Sequence, residues 1–72
     1  MFTKNHPVFR LYSLDAIAAA GRYTSTKHLE KVKHGYRKAS AELKWRITVG
    51  LREDRNNSFN GTESDLFERE KP

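Results

Sequence analysis

The amino-acid sequence predicts a small α+β domain: a short helix and one long amphipathic helix set against a two-stranded β element, followed by a disordered acidic tail. Three observations carry that expectation. Apolar residues recur with a helical period over residues 25–44, the period shortens to two over 45–51, and the sign of the charge reverses near residue 52.

Taken in chain order, residues 8–12 follow Pro7 and supply a first strand. Ser13 then caps a short helix over 14–20, and Gly21 stands where a left-handed terminator is wanted. The alanines of that helix, Ala16, Ala18, Ala19 and Ala20, permit close packing. Thr24, Ser25 and Thr26 precede the long helix and offer hydroxyls to the unpaired amides of its first turn. Within it, Leu29, Val32, Tyr36, Ala39 and Leu43 alternate spacings of three and four, which at ~100° per residue keeps them on one stripe. Gly35 falls in the middle and costs up to ~1 kcal/mol against alanine there. Trp45, Ile47, Val49 and Leu51 then alternate with Arg46, Thr48, Gly50 and Arg52, the pattern of a strand with one buried face. Paired with residues 8–12 it closes a β-α-α-β unit; the alternative is that the long helix runs on through Trp45. The expected core is Phe9, Leu11, Leu14, Ile17, Leu29, Val32, Tyr36, Leu43, Trp45, Ile47, Val49 and Leu51.

Seventy-two residues with a net charge of +5 make one basic domain. The charge is unevenly placed. Residues 1–52 hold eleven Lys and Arg against three acids, whereas 53–72 hold three against six. The border coincides with Asn56, Asn57, Ser58, Asn60 and Gly61, a stretch too polar to offset its ordering entropy by burial. The reading is a folded basic domain over 1–52 and a flexible acidic tail over 53–72. Without cysteine there is no disulfide, thiol nucleophile or cysteine-bound zinc. No run approaches the ~18 apolar residues of a membrane span, and no export signal is evident, so no membrane partner and a cytoplasmic location are expected. A chain this short buries only about 60% of its unfolded surface, which makes a homodimer packed through the long helix a reasonable expectation.

On one long helix, Lys27, Lys31, His34 and Lys38 form a cationic row, and Lys33, Arg37 and Lys44 a second row beyond the apolar stripe. Such rows suit nucleic-acid phosphates, with DNA favoured over RNA. Lys27, Lys31, Lys33, Arg37 and Lys38 are the expected main contacts, with Arg22 and Arg46 at the edges. Tyr23 is a candidate for base stacking, whereas Tyr36 on the apolar stripe reads as core. The short helix, Gly21 and the long helix have the outline of a helix-turn-helix. His28 and His34 are six residues apart, which sets their rings ~120° apart on a helix and indicates no metal site. No catalytic motif is present, and neither an enzyme nor a cofactor is expected.

The alternative function is a protein-interaction module or inhibitor that grips an acidic protein surface, with Leu66 and Phe67 of the tail as a short linear motif. The string ESDLF, residues 63–67, is similar to the peptide that bacterial replication proteins insert into the sliding clamp, with Glu63 where that peptide normally has Gln. The string RITVGL, residues 46–51, resembles the base-reading strand of ribbon-helix-helix repressors. That family continues into two helices where this chain continues into an Asn-rich stretch, and no residue role is carried over.

Overall fold

The computed structural model describes residues 2–56 and 58–69, and over them the chain is all-helical. Five helices follow one another: α1 (Pro7–Leu11), α2 (Leu14–Gly21), α3 (Lys27–Lys33), α4 (Ala41–Glu53) and α5 (Glu63–Leu66). Among the described residues there is no strand, which corrects the α+β expectation and its two-stranded element.

The predicted long helix is two helices, and Gly35 divides them. It takes a left-handed φ of +81°. Its amide donates to the Val32 carbonyl at 3.2 Å and that of Tyr36 to the Lys31 carbonyl at 2.9 Å, the paired bonds of a Schellman terminator. A second helix starts at Ser40, whose hydroxyl accepts from the Leu43 amide at 3.1 Å. The period-two reading of 45–51 fails because two helical stripes interleave there. Leu43, Ile47 and Leu51 stand four apart and are buried, while Trp45 and Val49, also four apart, lie on the opposite side of the same helix. The other predicted strand, 8–12, is replaced by α1, where Pro7 occupies the first turn that its fixed φ and missing amide suit.

The short helix forms as expected, with the Ser13 hydroxyl accepting from the Ala16 amide at 3.2 Å. Its terminator is shifted by one residue. Arg22, not Gly21, is left-handed, with φ of 60°, and the Tyr23 amide closes the turn on the Ala18 carbonyl at 2.8 Å. Gly21 is needed for space: a Cβ there would lie 2.7 Å from the Tyr23 ring and 3.2 Å from Ile47. One helical step along, a Cβ on Gly50 would run into the Ala20 carbonyl. Helices α2 and α4 therefore meet backbone to backbone at Ala20 and Gly50, and Gly21 beside them leaves room for the Tyr23 ring and Ile47.

Around that crossing, Val8, Ile17, Leu29, Val32, Leu43, Ile47 and Leu51 are fully or almost fully buried. Each contributes about 1.5–3 kcal/mol by leaving water. Leu11, Tyr36 and Trp45, expected in the core, are exposed. The stripe that the sequence suggests for dimerisation is closed inside the chain, since Leu29, Val32, Ala39 and Leu43 are all buried within one copy.

Part of the segment read as a flexible tail packs against the body through α5, while most of its other described residues are exposed loop. Leu66 is fully buried and Phe67 nearly so, both joined to the core with Val8 and Phe9. The Phe59 amide bonds to the Leu51 carbonyl at 3.3 Å, and the Glu68 amide donates to Nδ1 of buried His6 at 3.0 Å. Asp65 accepts from the Thr62 amide at 2.8 Å and so secures the first turn of α5. Asn57 and residues 70–72 of that predicted tail lie outside the described residues. At the other end of the chain, the amides of Phe2 and Asn5 bond to the carbonyls of Gly35 and Lys33, tying residues 2–6 to the end of α3.

Candidate nucleic-acid interface

Helix α3 buries Leu29 and Val32, and that choice fixes which side chains face outward. Lys27, Lys31 and His34 lie at i, i+4 and i+7, within about 60° of one another. With Glu30 and Tyr36 they line one shallow groove of about 460 Å³. Tyr36 is 69% exposed. The Schellman turn at Gly35 swings it out of the helical stripe and beside the lysines, so an aromatic ring predicted as core becomes part of a cationic surface.

The break also dismantles the longer rows. Lys38 lies beyond the end of α3 in the linker, exposed, and does not extend the Lys27–Lys31–His34 row. Lys33 is half-buried at the end of α3, Arg37 is exposed in the linker, and Lys44 is half-buried on α4, where it lines a groove with Glu63, Ser64, Phe67 and Arg69. These three form no row. Among the described residues, no ion pair engages Lys27, Lys31, Lys33, Arg37 or Lys38; the pair at 3.9 Å joins Arg10 to Glu68.

The turn between α2 and α3 carries the remaining predicted residues. Arg22 is exposed, and its carbonyl accepts from Nη2 of Arg46 at 3.2 Å. The Arg46 guanidinium lies over the Tyr23 ring, 4.3 Å from its centroid, and the Tyr23 ring meets His28 at 6.3 Å. A cation on α4, an aromatic ring in the turn and an imidazole on α3 thus stand in file. Beyond Arg46, a second groove of about 480 Å³ runs between the end of α2 and the outer face of α4, lined by Arg22, Trp45, Val49 and both Glu42 and Glu53. Trp45 is 62% exposed on it.

The structure leaves the expected Arg22, Lys27 and Lys31 exposed and Arg46 half-buried, and it also exposes Tyr36 and Trp45, which the sequence places in the core. The signal for both was Gly35 followed five residues later by Ser40, a helix stop and a helix start, which together place Tyr36 in a loop and restart the helical phase of Trp45. Leu66 and Phe67, the predicted partner-binding pair, lie in the core. The 46–51 segment is helical, so its likeness to a base-reading strand ends with the sequence.

Among the described residues no cluster of three or more His, Asp or Glu gathers, and no helix is long and apolar enough to cross a membrane. Comparison with protein-family models, with curated proteins and with solved structures gives no match for this chain.

Proposed function

We propose that this chain binds nucleic acid in the cytoplasm as a small accessory or regulatory protein, gripping phosphates along the outer face of α3. The observation that supports the reading is the groove in which Lys27, Lys31 and His34 stand side by side with exposed Tyr36. Two lysines that form no ion pair among the described residues, outnumbering Glu30 in the same groove, stand beside an open ring and match the two needs of a nucleic-acid strand, backbone neutralisation and base contact. The net charge of +5 draws polyanions toward the protein from a distance. Arg22 and Arg46, which line the Trp45 groove, are assigned outlying contacts, and Arg37, Lys33 and Lys38 add to the surrounding field.

The competing reading, a module gripping an acidic protein surface through the same basic residues, uses Leu66 and Phe67 as its second contact. Both are inside the core, and presenting them requires α5 to detach. Nucleic acid is therefore the reading we adopt.

Fluorescence anisotropy of labelled oligonucleotides tests it. Binding is expected to persist at about 0.15 M salt. The double substitution Lys27→Ala with Lys31→Ala is expected to flatten the salt dependence of log K by about 1.4 to 1.8, two phosphates' worth of released counterions. Unchanged affinity and slope in that variant overturn the α3 interface.

A further inference from the structure

We infer that the nucleic acid held by this surface is a single strand, and that Trp45 is a stacking platform for one of its bases. The inference rests on the reading above and names its substrate class. Trp45 is a large apolar side chain 62% exposed to water on a helix that had buried positions to offer, and it lies over a groove rather than on an isolated convex surface. The groove's charges balance, Arg22 and Arg46 against Glu42 and Glu53. A trough for phosphates needs an excess of cations; a neutral floor with an open indole suits the face of a base. On the flank of α3, beside the row, His28 meets Tyr23, and Tyr23 carries Arg46, which lines the Trp45 groove.

Two rings are open to solvent, Tyr36 in the cationic groove and Trp45 in the neutral one. In a duplex the base faces are already stacked on one another and only their edges are offered. An unpaired strand offers the faces, and aromatic stacking on them is favourable whatever the identity of the base. The side chains therefore match a single strand, of DNA or RNA, with phosphates on Lys27 and Lys31 and bases on Tyr36 and Trp45.

Trp45 is the only tryptophan in the chain, so its emission reports on this contact directly. The experiment titrates the full chain with unlabelled single-stranded DNA, single-stranded RNA and duplex DNA of about 12 nucleotides, following tryptophan emission, and repeats the titration by anisotropy with labelled strands. Single strands of at least one kind are expected to quench Trp45 with the midpoint that anisotropy gives, and to bind more tightly than the duplex. Trp45→Ala is expected to weaken single-strand binding by about tenfold and Trp45→Phe by much less, with helical circular dichroism retained in both. Equal or tighter duplex binding, silent Trp45 emission during single-strand binding, or full single-strand affinity in Trp45→Ala overturns the inference and leaves α3 as a nucleic-acid interface. Binding to none of the three overturns both.

Discussion

His6 and Glu68 are 62 residues apart in sequence and joined at 3.0 Å, the Glu68 amide donating to the Nδ1 atom of the imidazole. The ring is fully buried, 5.4 Å from the ring of Phe67 and 6.3 Å from that of Phe9. This contact closes the two ends of the chain on each other, and the salt bridge of Arg10 with Glu68 lies beside it on the surface. The exposed pair contributes little, since solvent screens both partners. The buried histidine does more, by filling space and by satisfying an amide.

Two substitutions separate those contributions. His6→Ala removes both and is expected to lower unfolding free energy by about 2–4 kcal/mol, combining a cavity with an amide left without its acceptor. His6→Asn places a side-chain oxygen near the position of Nδ1 and is expected to cost clearly less. Urea denaturation of the three proteins measures the difference, and equal losses in both variants show that the hydrogen bond contributes nothing.

Removal of residues 56–72 tests whether the acidic segment belongs to the fold. A solubilising tail can be removed with no effect on the melt. Here the truncation strips Leu66 and Phe67 from the core, and each buried side chain of this size contributes about 1.5–3 kcal/mol. The expected loss of at least about 3 kcal/mol is a large part of what a domain of this length possesses. Far-ultraviolet circular dichroism is expected to show a much lower and broader thermal transition, and an unchanged transition contradicts the packing of α5.

How much of this was legible follows from where each interaction has its partner. Leu29, Val32 and Leu43 declared themselves because helical spacing is local, and so did the Ser13 cap, whereas Ile47 and Leu51 were assigned to the core on a strand's period of two, the right burial on the wrong element. Leu66 and Phe67 did not declare themselves, because what buries them, His6, Val8 and Phe9, lies some sixty residues away and no local pattern marks it. Gly35 reads alike as a weak mid-helix residue or a terminator. Choosing the first merged α3 with α4 and generated the row of Lys33, Arg37 and Lys44, which has no counterpart in the fold. The Lys27, Lys31 and His34 row survived because all three precede the break. Trp45 was misplaced for the same reason as the strand that contained it: its period-two neighbours are a buried stripe and an exposed stripe of one helix.

Arg22 connects stability with the proposed interface. It is left-handed, with φ of 60°, at the position where α2 ends, and a side chain with a Cβ costs about 1–2 kcal/mol in that region. Glycine does not pay that cost, so Arg22→Gly is expected to raise stability by up to about 1 kcal/mol. The bond from Arg46 survives the substitution, because its acceptor is the residue 22 carbonyl. What is lost is an exposed guanidinium lining the Trp45 groove. The same variant is therefore expected to melt higher and to bind nucleic acid more weakly, with a flatter salt dependence. Arg22→Asn, which also tolerates the left-handed region, is expected to fall between the two proteins in stability and to match Arg22→Gly in binding. A variant that gains stability without losing affinity removes Arg22 from the interface. One that loses stability shows that the arginine side chain contributes more to the turn than its backbone strain costs.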